Sequence, residues 1–184
     1  SVNQQLAIGF GIAFGLLVTG LLSRWWGGEA NSMWMASSLA ASAVLLFGMP
    51  ASPLSQPWPV LMGTVLSALI GAAVQVSVSD TAIACAVAVG LSVMLMVPLR
   101  CMHPPGAGFA AYVVLEHVNG VTLIAFPIFF NVAVLVVCAV LYNAMTGKRY
   151  PHPQHSLKRA FNPDGSDVFA PEDLDAALKH YNQM

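Results

Sequence analysis

Long apolar stretches follow one another along most of this chain, separated by short segments rich in proline, glycine or polar residues. Five of them lack Asp, Glu, Lys and Arg, and they cover residues 4–23, 33–49, 58–77, 81–99 and 121–144. A helix needs about 20 apolar residues to cross a bilayer core, so each stretch is a candidate span. A further piece at residues 109–117 would cover only about 14 Å as a helix. The pattern predicts an all-α, polytopic membrane helix bundle with four to five spans plus a re-entrant or broken half-helix.

Composition supports a membrane protein. Hydrophobic residues make up 57% of the chain and charged residues only 8%, whereas a soluble domain carries about 25% charged residues. A surface that faces lipid penalises charge, so this deficit fits a bilayer environment. The formal net charge of −1 gives no basic field for nucleic acid. We therefore expect the lipid bilayer as a partner and no nucleic acid.

Two proline-rich segments interrupt the apolar pattern. Proline removes a backbone donor and fixes φ, so neither segment forms a regular helix. Pro50 and Pro57 are seven residues apart, as are Pro98 and Pro105, and the two pairs are offset by 48 residues. This spacing predicts an internal two-fold repeat, with chance as the open alternative.

The composition changes after the last apolar stretch. We predict a transmembrane domain at residues 1–147 and a cytoplasmic tail at residues 148–184, where most of the acidic residues lie. The sequence lacks an initiator Met and stops within a helical pattern. We therefore expect a longer protein, in which the tail begins a linker to a soluble domain.

Basic residues near the span ends predict the orientation, because cytoplasmic loops are enriched in Lys and Arg. With five crossings, Arg24, Lys148 and Arg149 share one side, which we assign to the cytoplasm, and the amino terminus lies outside. Arg100 then lies on the opposite side or within the membrane. The membrane we expect is the plasma (inner) membrane of a bacterium.

Both proline-rich segments directly precede a helix. The amino terminus of a helix favours an anion through its free N–H groups and its dipole. A guanidinium that stays charged, together with hydroxyl and amide groups, can replace the hydration shell of a small oxyanion. We therefore predict an anion site. Its substrate-binding residues are Arg100, His103, Pro104, Pro105, Gly106, Ser52, Ser55 and Gln56.

Each candidate also has a plainer interpretation. Arg100 fits a snorkelling anchor on lipid headgroups, and His103 fits a helix cap or a satisfied interfacial histidine. A histidine can also relay or gate protons, so we assign proton or gating roles to His103, Glu116 and His117. The Asn-Gly pair that follows favours an interfacial turn at Glu116.

Enzyme chemistry has little support in the sequence. No nucleophile, base and orienting group form a recognisable set, and no glycine-rich phosphate loop is visible. The three cysteines have no spacing typical of a metal site. We predict no enzyme activity, no cofactor and no metal. The adjacent Glu116 and His117 are the only carboxylate and histidine pair that a membrane enzyme would use.

The motif HPPGAG at residues 103–108 resembles the motif that gives the HPP family of integral membrane proteins its name. The upstream segment FGMPASPLSQPW, residues 47–58, is similar to the second signature of that family. One departure is Ser55, where the family pattern has Ala. The resemblance covers residues 10–143, which is nearly all of the apolar part.

The resemblance implies four membrane helices, fewer than the five apolar stretches counted above. It also implies a role in transport. Plant plastid and cyanobacterial members of the family are associated with nitrite transport, and bacterial members often carry CBS domains after the membrane part. Our first hypothesis is a transporter or channel for a small monovalent anion, nitrite or nitrate first. The alternative is a non-transporting oligomeric membrane anchor or sensor for a cytoplasmic regulatory domain, with both proline-rich segments packed shut. Small residues on several stretches also predict a homo-oligomer.

Overall fold

The computed structural model of this chain describes residues 2–27, 37–118 and 124–154. The helices within these ranges are α1 (Val2–Gly27), α2 (Ser37–Ala43), α3 (Pro57–Gln75), α4 (Thr81–Met96), α5 (Pro104–Leu115) and α6 (Phe130–Met145). A π-helical turn, Val44–Gly48, extends α2, another, Ile124–Phe129, precedes α6, and a short 3₁₀ turn, Pro53–Ser55, lies before α3. No strand occurs in these ranges. The predicted all-α fold class is confirmed.

The helices differ in length. Three segments are long and apolar enough to cross a bilayer: Val2–Gly27, Pro57–Gln75 and Pro127–Met145. Three shorter apolar helices lie between them: Ser37–Gly48, Thr81–Met96 and Pro104–Leu115. The predicted half-helix therefore begins at Pro104, since proline suits the first turn of a helix, where no N–H is needed. Residues 33–36 and 121–123 of the predicted stretches lie outside the described residues.

Helix α3 is the centre of the bundle. It contacts α4, α5, α6 and the π-helical turn before α6. Helix α5 runs parallel to it, because Gly63 lies beside the start of α5 and Gly71 lies beside Ala110 further along. A Cβ at Gly71 would be 2.5 Å from the Ala110 carbonyl oxygen, so the two backbones touch. In lipid, such close packing of small residues is the main source of helix association.

Helix α1 is peripheral and packs through one narrow stripe on α6 and on Phe47 of the π-helical turn after α2. The buried residues of α1 recur every fourth position and are Gly11, Gly15, Thr19 and Ser23. The two helices are antiparallel: the Tyr142 hydroxyl donates to the Ala7 carbonyl over 2.7 Å, and the rings of Trp26 and Phe130 lie 6.1 Å apart at the other end. Most of the other α1 side chains are apolar and are exposed or half-buried, as suits a helix at the lipid boundary.

The predicted placement of Arg24 at the same end of the bundle as Lys148 and Arg149 is wrong. From α5 onward, the chain follows α3 as far as Gln75, the last residue of α3. There the Gln75 amide donates to the carbonyl of Val118, just after α5, over 2.6 Å. Helix α5 therefore carries the chain from the end where α5 begins to the opposite end of the bundle. As a consequence α1 begins at the end where α6 finishes, and Arg24 lies at the opposite end from Lys148 and Arg149.

Two short segments connect helices at one end of the bundle. The first link is residues 49–56, between α2 and α3, and the second link is residues 97–103, between α4 and α5. Both lie at the end of the bundle where α6 finishes, which we call the link end. Arg100 is in the second link, so it shares this end with Lys148 and Arg149.

The compact membrane unit extends to His152. This is beyond the predicted boundary at residue 147, because Lys148 and Tyr150 contact the first link and the segment before it. Of the predicted tail, residues 155–184 lie outside the described residues.

The contact between α3 and α5 yields a stability prediction. Gly71→Ala should lower the thermal unfolding midpoint in detergent, since overpacking costs about 1–3 kcal/mol and the clashing atoms are backbone. Gly90→Ala in α4 is the matched control, because a Cβ there would meet nothing within 4 Å. It should leave the midpoint unchanged or raise it. Equal midpoints for the two variants would contradict the close packing of α3 on α5.

Candidate functional site

A fully buried histidine lies where three elements meet at the link end. His103 is the residue before α5, and its side chain is 0% exposed. Its Nδ1 lies 2.9 Å from the Leu54 carbonyl oxygen of the first link, and its Nε2 lies 2.9 Å from Ser42 Oγ of α2. One imidazole therefore joins α2, the first link and the start of α5.

The partners of His103 fix where its protons are. A carbonyl oxygen only accepts, so Nδ1 carries a proton and donates to Leu54. In the neutral ring Nε2 is then an acceptor, and the Ser42 hydroxyl donates to it. Ser42 Oγ also lies 3.0 Å from the Ser38 carbonyl oxygen, but one hydroxyl proton serves only one of the two. Protonation of Nε2 would turn the Ser42 hydroxyl toward Ser38.

Glycines let the second link enter the bundle this deeply. A Cβ on Gly63 of α3 would lie 2.6 Å from the Cys101 carbonyl oxygen and 3.0 Å from His103 Cβ. A Cβ on Gly106 would lie 2.9 Å from the Thr64 nitrogen. Any side chain at either glycine would push α3 and α5 apart. The position of His103 therefore depends on both.

The predicted ligands of the first link use their polar atoms within the protein. Ser52 Oγ accepts from the Leu54 N–H over 3.2 Å, and Ser55 Oγ donates to the Leu45 carbonyl over 3.1 Å. The Gln56 amide donates to the Pro50 and Ser52 carbonyls over 2.9 and 2.7 Å. These side chains hold the first link in one conformation.

Residues 147–152, which we call the post-helix segment, cover the first link from outside. Gly147, with φ +73°, ends α6 and turns the chain back. Lys148 Nζ donates to the Phe47 carbonyl over 3.3 Å, the Tyr150 hydroxyl donates to the Ser55 carbonyl over 2.8 Å, and the His152 N–H donates to Gln56 Oε1 over 2.8 Å.

Burial shifts the pKa of two groups in the post-helix segment. It raises the pKa of the Tyr150 hydroxyl and lowers the pKa of the Lys148 ammonium, because removal from water disfavours the charged form of each. Tyr150 therefore keeps the proton that it donates to Ser55 well above neutral pH.

Arg100 does not join His103. It is exposed, and its backbone is left-handed, with φ 51°. Pro104 is exposed as well, and Pro105 is half-buried. Because neither proline has an N–H, Gly106 is the first residue of α5 that carries one, so this helix start offers an anion fewer donors than predicted.

Glu116 and His117 lie at the other end of α5 from His103. Both are exposed, Glu116 directly follows the last helical residue, and His117 has a left-handed backbone with φ 48°. The structure does not bring them together with His103. Among residues 2–27, 37–118 and 124–154, no three His, Cys, Asp or Glu side chains are grouped so that they could share a metal ion.

Sequence reasoning did not assign several buried polar groups to the site. Ser42, the partner of His103, is one of several serines and alanines in α2, and nothing in that run distinguishes it. Thr64 Oγ1 and Ser67 Oγ of α3 and both polar atoms of the Asn131 amide of α6 are buried without a hydrogen-bond partner. A buried polar group without a partner costs about 1–3 kcal/mol. Such groups call for water or a ligand.

Six apolar helices in the described ranges, with buried polar groups inside and apolar side chains outside, define a polytopic integral membrane protein. Residues 1–151 match the family model described as "HPP, transmembrane region". The chain belongs to this HPP transmembrane family, as the two motifs suggested.

Two curated transmembrane proteins of Dictyostelium discoideum are similar to it. They are 37% and 34% identical over 145 residues, which is 74% of this chain and 51% and 47% of theirs. The chain thus spans about half the length of the curated relatives it matches. No solved structure matches.

The Ser42 contact can be tested by stability. Ser42→Ala should lower the unfolding free energy by about 1–3 kcal/mol, since it leaves a buried ring nitrogen without a partner. Ser92→Ala is the matched control, because Ser92 is equally buried and its hydroxyl donates only to Ala88 of its own helix, over 2.7 Å. Thermal unfolding in detergent compares the two. Equal destabilisation would argue against the bond to His103.

Proposed function

We propose that this protein is a transporter or channel for a small monovalent anion, nitrite or nitrate first, and that the anion passes through the polar interior beside His103. The observation that carries the proposal is the presence of buried hydroxyl groups without partners on α3. Thr64 and Ser67 are each 0% exposed, and the Thr64 backbone touches Gly106, in the first turn of α5. Hydroxyl groups can replace the water that a small anion loses.

A positive charge at this depth would come from a proton. Arg100 is exposed at the link end, and an anion without a counter-charge is costly in an apolar interior. The His103 ring is the basic group among these buried residues, and its contacts are Ser42, the Leu54 carbonyl and the backbone near Gly63, none of which titrates. Protonated His103 would pair with the anion, so uptake would be accompanied by a proton.

The distribution of basic residues supports an orientation. Arg100, Lys148 and Arg149 belong to the link end and Arg24 to the opposite end, so the positive-inside rule assigns the link end to the cytoplasm. The amino terminus would then be cytoplasmic as well. The plasma (inner) membrane of a bacterium remains part of this proposal. A homo-oligomer is also part of this proposal. Gly9 and Gly90 lie on outward surfaces, where an added Cβ would meet nothing within 4 Å, so a helix of a second copy could pack closely there.

A non-transporting membrane anchor or sensor is the second candidate. It is favoured by the internal hydrogen bonds of Ser52, Ser55 and Gln56, which hold the first link closed. The exposure of Arg100 is also what this candidate expects. The two candidates differ in whether any anion crosses the membrane.

Anion uptake into proteoliposomes distinguishes them. Nitrite or nitrate should enter faster than bicarbonate or chloride, and uptake should rise as pH falls, because the protonated ring is the required cation. His103→Ala should abolish uptake. Thr64→Val, which keeps the shape and removes the hydroxyl, should slow it about tenfold, the effect of losing about 1.4 kcal/mol.

Two variants serve as controls for uptake. Ser92→Ala removes a buried hydroxyl of α4 that bonds within its own helix, and Arg100→Ala removes an exposed charge. Both should transport like the wild type. Absence of uptake of every anion by the folded wild type would reject transport for this chain and leave the anchor or sensor.

A further inference from the structure

The first link is held from two sides at three consecutive residues. From inside the bundle, His103 Nδ1 donates to the Leu54 carbonyl. From outside, the Tyr150 hydroxyl donates to the Ser55 carbonyl, and the His152 N–H donates to the Gln56 side chain. The link therefore lies between the buried imidazole and the post-helix segment.

The outer contacts reach both ends of the first link. Lys148 donates to the Phe47 carbonyl, just before the link. Gln56, which accepts from His152, also donates to the Pro50 and Ser52 carbonyls and so connects the rest of the link to the same contact. Release of the post-helix segment would remove support from the whole link rather than from one residue.

The strength of these contacts suits a reversible release. A single hydrogen bond contributes about 0.5–1.5 kcal/mol net, so the loss of one changes a local opening equilibrium by about fivefold. Burial favours the neutral Tyr150 hydroxyl and works against the Lys148 charge. The Tyr150 contact, at 2.8 Å and with a buried side chain, is the firmest of the side-chain contacts, and the Lys148 contact, at 3.3 Å and with a half-buried side chain, is the one most easily lost.

We propose that the post-helix segment is a latch: docked, it keeps the first link closed over His103, and released, it opens His103 to water from the link end. Since the chain continues beyond His152, anything that pulls on the following residues would act on the buried imidazole. The biological meaning rests on the proposed function, in which His103 lies on the anion path. The latch itself is independent of transport.

Chemical modification of histidine tests the latch on the whole chain without any anion. Diethyl pyrocarbonate reacts with accessible imidazole, and mass spectrometry reports each histidine separately. In the wild type His103, which is 0% exposed, should react slowly, and the exposed His117 should react fast and serve as the internal reference. Tyr150→Phe, which removes one hydroxyl and keeps the ring, should raise the His103 rate about fivefold and leave His117 unchanged.

Tyr142→Phe is the matched control. It also removes a tyrosine hydroxyl that donates to a carbonyl, that of Ala7, but on the contact between α1 and α6. It should leave the His103 rate unchanged. Lys148→Met, which keeps the apolar stem and removes the donor, is a milder second variant that should raise the rate less than Tyr150→Phe.

Two results would overturn the latch. One is an unchanged His103 rate in both Tyr150→Phe and Lys148→Met. The other is an equal increase in Tyr142→Phe, which would mean general loosening of the bundle. Because neither readout requires uptake, failure of the latch is distinguishable from failure of transport.

Discussion

The link end depends on one buried imidazole with a partner on each ring nitrogen. His103 donates to the first link through Leu54 and meets α2 through Ser42. In a membrane bundle an unpaired buried nitrogen is costly, so these partners must stay close for the two links to remain packed. The polar side chains of the first link and the post-helix segment are arranged around this contact. One residue thus couples α2, the first link and the start of α5.

Small residues let the backbones approach closely enough for that contact to form. Gly63 and Gly106 let the second link lie directly on α3, and Gly71 lets the backbone of α5 touch that of α3 further along. Close packing of this kind holds the central helices, while α1 is held by only one narrow stripe. The interior retains hydroxyl groups on α3 without partners. Tight backbone contacts and buried hydroxyl groups without partners therefore lie side by side on α3.

The apolar stretches were sufficient to predict an all-α membrane bundle, because length and absence of charge follow directly from the bilayer. The predicted placement of Arg24 failed because of α5. Nothing in the 12 residues of α5 indicated that they would pack parallel to α3 and carry the chain to the other end of the bundle. His103 was recognised from its motif, but Ser42 was not, since the contact joins residues 61 apart in the sequence. Arg100 was grouped with His103 because of its charge and its proximity in sequence, whereas in the structure Arg100 is exposed and His103 is buried.

The protonation of the His103 ring is the most direct test of this account. Solid-state NMR of the protein in bilayers, with ¹⁵N-labelled histidine and His103→Asn to assign the signal, distinguishes the two nitrogens. At neutral pH we expect Nδ1 to carry the proton, Nε2 to be an acceptor, and the Nε2 signal to shift in Ser42→Ala. A proton on Nε2 with a bare Nδ1, or a ring signal like that of the exposed His117, would contradict the contacts with Leu54 and Ser42.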